Sequence, residues 1–326
     1  MQISERGDNT DKAMGFRSFR QRLRWIARSL GLLIPPVREG FEELQTYREA
    51  FKFAPPGHFY SPMPSQDEVN RDAARLFGSP NRTIPGIDLN EVKQLALLEE
   101  IKRYYRDLSF PVHKSHGRRY FYENPMYGYS DAIFLYGIIR HADPKRIVEV
   151  GSGHSSCAML DTIDLHLDRQ VESTFIEPYP DRLLSLLRPE DLGRVKILTE
   201  RVQDVGLDPF LALDRNDILF IDSSHVMKTG SDVNYLLGEI LPRLRLGVYV
   251  HFHDIFYPFE YPNEWVSGGR AWNEAYALRA FLAFNEAFEI VLFNTYLERF
   301  HKEIFERDMP LCLVNEGASI WLRRVR

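Results

Sequence analysis

Four short runs of the chain concentrate the residue types that do chemistry. In RIVEVGSGHSS (Arg146–Ser156), an apolar run carrying Glu149 leads into Gly151-Ser152-Gly153 and then into small residues that open a helix. Glycines at such a turn admit a ligand where a Cβ would collide, and a helix start presents unpaired N–H groups. The next apolar run ends in Glu177, followed by Pro178 and 26 positions beyond Gly151, where a carboxylate can accept hydrogen bonds from both hydroxyls of a ribose. A third run ends in Asp222, with His225 just behind it, and a fourth in His253 and Asp254. Together they read as a nucleoside site with a titratable cluster beside it.

The loop discriminates between two nucleoside ligands. A dinucleotide fingerprint has a third glycine where the helix crosses the strand, and here that position holds Ser156. S-adenosylmethionine (SAM) has no phosphate to accommodate. Its carboxylate suits the amides of Gly151, Ser152 and Gly153, and its ammonium needs an acceptor, a role for which Glu149 is placed. Methyl transfer from a sulfonium is an in-line displacement, so the protein has to align an acceptor and take its proton. Two solutions stay open. His253 or His225 can act as the base at neutral pH. Alternatively, Asp222 and Asp254 supply hard oxygen ligands for Mg2+, which would lower the acceptor's pKa.

For these groups to converge, they must stand at the ends of neighbouring strands. From about Arg119, short apolar runs alternate with helical stretches, the pattern of a parallel sheet with crossover helices. The expected strands are Arg146–Val150, Ser173–Glu177, Val195–Thr199, Asp217–Asp222, Gly247–His253, Phe288–Phe293 and Ser319–Arg323. They fit one Rossmann-like, seven-stranded, doubly wound α/β sheet, in which ligands bind outside the carboxyl ends of the strands. Upstream, Val92, Leu95, Leu98, Ile101 and Tyr105 predict a helix over Glu91–Asp107, capped by Asp88 or Asn90. The expected division is a basic amphipathic extension over 1–53, a loop and helix region over 54–118 forming part of a lid, and the α/β domain over 119–326.

The chain resembles the class I SAM-dependent methyltransferases. The resemblance rests on Glu149–Ser156 (EVGSGHSS) for the methionine end, Ile176–Pro180 (IEPYP) for the ribose, Val202–Asp204 (VQD) and the strand ending IDSSH. It implies that Gln203 and Asp204 meet the adenine edge. The chain is similar in particular to a bacterial subgroup carrying FIDSSH, V-x-FHDIF and Trp-Asn-Glu-x-Tyr, here Phe220–His225, Val250–Phe256 and Trp272–Tyr276. The likeness implies a sheet whose last strand is antiparallel, and related sugar and macrolide O-methyltransferases hold a metal with acids after these two strands. Tyr127 and Tyr129, in YGYSDA (Tyr127–Ala132), are expected to close over the cofactor. The aromatic, proline and glycine segment Phe256–Tyr276 has the composition of a mobile lid and acceptor pocket.

Composition narrows the partners. With 41 Lys+Arg against 46 Asp+Glu the formal charge is -5, so no global basic field attracts nucleic acid, and a small-molecule or sugar acceptor is expected. One local exception is Phe16–Leu33, whose apolar positions recur at helical spacing between arginines, a pattern suited to peripheral membrane contact. The two cysteines, Cys157 and Cys312, are too few for a disulfide framework, and no apolar stretch is long enough to span a bilayer. A cytoplasmic protein is expected. The competing readings are a SAM-binding scaffold without catalysis and a nucleotide-dependent oxidoreductase.

Overall fold

The computed structural model describes residues 43–49 and 51–326, so the arginine-rich helix expected over Phe16–Leu33 lies outside the described residues. The chain divides into two compact units, Met1–Val69 and Asn70–Arg326. In the first, the prolines of Ala54–Pro64 exclude regular structure, and the segment closes on local turns in which Ser61 N donates to His58 O (2.8 Å) and Tyr60 N to His58 Nδ1 (3.1 Å).

The second unit contains α1 (Glu91–Tyr105), α2 (Tyr129–Ala142), β1 (Arg146–Val150), α3 (His154–His166), β2 (Glu172–Ile176), α4 (Asp181–Leu186), β3 (Val195–Leu198), β4 (Ile218–Ile221), β5 (Tyr249–Phe252), α5 (Glu274–Leu282), β6 (Phe288–Phe293), α6 (Asn294–Phe300) and β7 (Ile320–Arg324), with short helical turns between them. The seven strands form one sheet in the order β3-β2-β1-β4-β5-β7-β6. β1 to β5 are parallel, and β7 runs against both β5 and β6. β4 and β5 are buried along their whole length, which is why they read as apolar runs, broken only by His251 in β5: helices cover both faces of such a sheet.

Residues ahead of β1 are part of this core. α2 is buried on nearly every side, and Gly137 lets Ile101 of α1 come close enough that a Cβ there would stand 3.0 Å from the Ile101 side chain. Gln94 of α1 accepts from Phe293 N at the end of β6 (2.8 Å). The buried Arg119 guanidinium joins Asp161 of α3 (2.7 Å) and Asp191, pinning the approach to α2 against the helix that follows the glycine loop. At the start of α1, Asn90 is the N-cap residue but makes no side-chain cap; its φ is 49°, and the Asp88 carboxylate accepts from its N–H (2.8 Å). Among the described residues no helix is long and apolar enough to cross a membrane.

Candidate active site

The sheet ladder sets the site. The strand order reverses between β1 and β4, and a crevice opens there at the carboxyl ends. Ladder bonds run on past the strands: Gly151 N donates to Ile176 O (3.0 Å), Asp222 N to Val150 O (2.8 Å) and His253 N to Ile221 O (2.9 Å). Glu177, Gly151, Asp222 and His253 therefore stand in a row across neighbouring strands. They border a crevice of ≈ 330 Å³ whose lining also includes Gly153, His225 and Asp254.

The wall after β1 and β2 is built from local bonds. Gly151 has φ +82°, and a Cβ on it would stand 1.7 Å from Asp222 O, so this glycine is required by the protein's own backbone. Gly153 differs, because a Cβ there would meet only Arg182 Cδ, at 3.5 Å, and its open side faces the crevice. Glu177 accepts from Ser152 N (3.1 Å) and Tyr179 N (2.8 Å), which fixes its carboxylate on the rim; the neighbouring Pro178 is exposed. Ser156 accepts from Gly153 N (3.0 Å) and holds the loop against the helix.

Four expectations about this wall change. Glu149 does not face the crevice. It is fully buried, bonded by the hydroxyls of Ser155 (2.6 Å) and Ser156, and burial pushes its pKa up to about 8 against the pull of those hydroxyls. It braces the loop from beneath rather than offering a charge to an ammonium. Tyr129 turns away to stack on Tyr122, with ring centroids 4.4 Å apart and planes 2° from parallel, and donates to Glu123 (2.8 Å). Asp204 is held by Arg201 (2.7 Å), and the Gln203 amide donates to Gly230 O (2.8 Å), so neither borders the crevice. Tyr127 does border it, buried with its hydroxyl on Asp131 O (3.1 Å) and its ring 5.1 Å from that of His253.

Charge builds the opposite wall. His225, with φ +59°, places Nε2 3.3 Å from Asp222 Oδ1 and 3.5 Å from Asp254 Oδ2, and Nδ1 2.9 Å from Glu274 Oε2. Burial would lower its pKa, but Asp222 and Glu274 outweigh that and push it up to about 10. The expected base at His225 is thus a cation at neutral pH with both nitrogens committed to carboxylates. Burial raises the pKa of Asp222, but the imidazoles of His253 and His225 outweigh it, and the carboxyl ends below its ordinary value. Asp254 goes the other way: burial raises it more than His253 and His225 lower it. His253 Nε2 lies 3.7 Å from Asp254 Oδ1, and the His253 pKa is raised because Asp254, Asp222 and Asp131 outweigh its burial.

Asp222, His225 and Asp254 each offer a ligand atom within 4.8 Å of the others. Carboxylate oxygens suit a hard divalent ion, the imidazole suits a transition ion, and Glu274 behind Nδ1 would orient the ring as an outer-shell carboxylate does. With the His225 proton displaced from Nε2, the set fits a divalent cation without specifying Mg2+. Sequence reasoning placed Glu274 and Trp272 only in the lid and acceptor-pocket segment, whereas the Trp272 ring lies 4.3 Å from that of His225; it gave no individual role to His154, within the glycine-loop run, and none to Arg182. The signal for Glu274 was an acid opening the otherwise apolar face of α5; it is buried by tertiary packing alone.

A strand order of this kind, with an open glycine at the end of β1 and an acid fixed at the end of β2, defines a nucleoside-binding α/β enzyme fold. The model of the methyltransferase domain family matches residues 148–255. An uncharacterized protein of Archaeoglobus fulgidus is 36% identical over 176 residues, covering 52% of this chain and 78% of that protein. The chain belongs to the class I SAM-dependent methyltransferases. Two solved structures are similar at lower identity: an SAH-bound methyltransferase of Podospora anserina (16% identical, covering 80% of this chain and 97% of that one, TM-score 0.41), and an O-methyltransferase of Streptomyces achromogenes involved in tomaymycin synthesis, in complex with SAM (15% identical, 79% and 96%, TM-score 0.39).

Proposed function

We propose that the protein transfers the methyl group of SAM to a hydroxyl oxygen of a small-molecule or sugar acceptor. The observation that carries this reading is the position of Asp254. It stands at the crevice mouth, its side chain 16% exposed, flanked by two imidazoles and two strands from the glycine loop. SAM supplies an electrophilic methyl and leaves as a neutral thioether. The acceptor hydroxyl donates a hydrogen bond to the Asp254 carboxylate; as the new C–O bond forms, its proton passes to that carboxylate. A raised pKa makes Asp254 a stronger base than an ordinary aspartate, and His225 and Asp222 hold it in place. If Asp222, His225 and Asp254 bind a divalent ion, that ion lowers the pKa of a hydroxyl beside it.

The acceptor class draws support from a second cavity, of ≈ 780 Å³, beside the loop after β5. Phe256, Tyr257 and Tyr261 line it together with Glu260, Glu264 and Thr295, a mixture of ring faces and oxygen acceptors that suits a polyhydroxylated molecule. The test is incubation with methyl-labelled SAM and fractionated cell extract, followed by NMR of the labelled product. A methyl carbon bonded to oxygen is expected; label on nitrogen, sulfur or carbon sinks the O-methylation reading, and an absence of any SAM-dependent label favours a cofactor-binding scaffold.

A further inference from the structure

Between the crevice and the larger cavity stands a positive charge that the methyl-transfer chemistry does not use. A line of ring contacts joins the two spaces: Phe256, which lines the cavity, lies 5.2 Å from Trp265, Trp265 lies 5.4 Å from Trp272, and Trp272 lies 4.3 Å from His225 in the crevice wall. Arg270 rests on both indoles, its Cζ 4.0 Å from the Trp265 ring centre and 5.0 Å from that of Trp272. A guanidinium held by its flat face keeps its N–H edge free, and that edge is the fork that pairs with a carboxylate or a phosphate. Arg270 is exposed, and among the described residues its side chain has neither a carboxylate within ion-pair distance nor a hydrogen-bond partner.

The platform is fixed from both ends. Arg270 N donates to Trp265 O (3.0 Å), just past the short helix Asn263–Ser267. Beyond Trp272, Asn273 N donates to His225 O (3.1 Å) and Asn273 Oδ1 accepts from Met227 N (2.6 Å), so the segment carrying Arg270 is tied to the loop that presents His225. The charge also reaches the reacting side: burial raises the Asp254 pKa, and Arg270 follows His253 and His225 among the cations that draw it back. Asp254 follows β5 and the glycine loop follows β1, with β4 between them, so a group held by Arg270 belongs to the acceptor rather than to the cofactor. In the adjoining cavity Glu260, Glu264 and Glu316 outnumber Arg299 and Lys302, which disfavours an anion there and directs one to Arg270.

We propose that Arg270, set edge-outward on Trp265 and Trp272, receives an anionic oxygen group of the methyl acceptor, a carboxylate or a phosphate, so that the substrate is an acidic hydroxyl compound rather than a neutral one. The proposal rests on the methyl-transfer reading and names the group that selects the acceptor. For the test, the full chain is incubated with methyl-labelled SAM and cell extract, and the labelled product is passed over an anion exchanger at neutral pH; phosphatase treatment then tells a phosphate from a carboxylate. Retention on the exchanger is expected. With the purified acceptor, Arg270→Met is expected to raise KM by about 10- to 100-fold, with kcat at saturation within about three-fold and S-adenosylhomocysteine affinity unchanged, and Arg270→Lys to recover part of the loss. Neutralising the acid, by phosphatase or by amidation, should erase the difference between the two proteins. A labelled product that the exchanger does not retain overturns the proposal. So does a KM unmoved by Arg270→Met, or an equal loss on the neutralised acceptor, which would make Arg270 only a brace for the indoles. Label on an atom other than oxygen sinks O-methylation but leaves the Arg270 assignment standing. If no fraction is labelled, methyl transfer itself falls, and this proposal with it.

Discussion

The wall that follows β1 and β2 and the wall that follows β4 and β5 face one crevice yet are held in different ways. On the first, Glu177 is fixed by two backbone amides and Glu149 by two serine hydroxyls, all within seven residues along the chain or one strand across the sheet. On the second, His225 is balanced by Asp222, Asp254 and Glu274, the last of these 49 positions away. A wall of short-range bonds from uncharged donors is set once its strands and loop form. A wall of mutually balanced charges depends on every distant member arriving. Cofactor affinity and turnover should therefore separate cleanly under mutation.

The largest contrast lies within the loop itself. Gly151→Ala forces a Cβ against the Asp222 carbonyl at φ +82° and is expected to cost more than ~4 kcal/mol, abolishing a cooperative melt. Gly153→Ala meets no backbone and is expected to melt within ~1 kcal/mol of the unmodified protein while losing affinity for S-adenosylhomocysteine. Equal melting of the two variants would erase the distinction between a glycine the fold needs and one the ligand needs.

Next is a double dissociation between the walls. Asp254→Asn keeps the shape and removes the base, so kcat is expected to fall by ~10²–10⁴ with S-adenosylhomocysteine affinity within about two-fold. Glu177→Ala should do the reverse, weakening that affinity by about 10- to 150-fold with kcat at saturating SAM little changed. Steady-state kinetics beside calorimetry would reveal any variant that moves both quantities together.

The smallest effect concerns pH and the buried Glu149. Its folded pKa is raised from 4.5 to about 8, so the folded state holds a proton the unfolded chain releases. Its contribution to stability is then fully present below about 4.5, declines as pH climbs, and is gone above about 8. Glu149→Gln, which mimics the protonated carboxyl, is expected to flatten the dependence of the melting temperature on pH across that window. A slope identical to that of the unmodified protein would mean Glu149 carries a charge, and the neutral brace beneath the first wall would be lost.

Much of this was legible in one dimension. Expected and observed strands agree to within two residues at either end, because strands buried on both faces must be short, apolar and bounded by turn residues. The row of Glu177, Gly151, Asp222 and His253 followed from placing strand ends side by side. Side-chain direction did not follow. Tyr127 and Tyr129 sit two positions apart in one motif, yet one borders the crevice and the other stacks on Tyr122. Asp204 had the residue type expected at an adenine edge, but Arg201, three positions before it, takes its charge.

What the amino-acid order determined by itself was the set of strands, the turn that needs Gly151, and the residue types at each strand end, since these answer to local sterics and to burial patterns of short period. Only the tertiary structure decided that Glu149 lies sealed beneath the loop and that Glu274 reaches His225. The reason is physical: a side chain's charge state and facing depend on what remote segments bring within a few ångströms, and no periodicity along the chain encodes that distance.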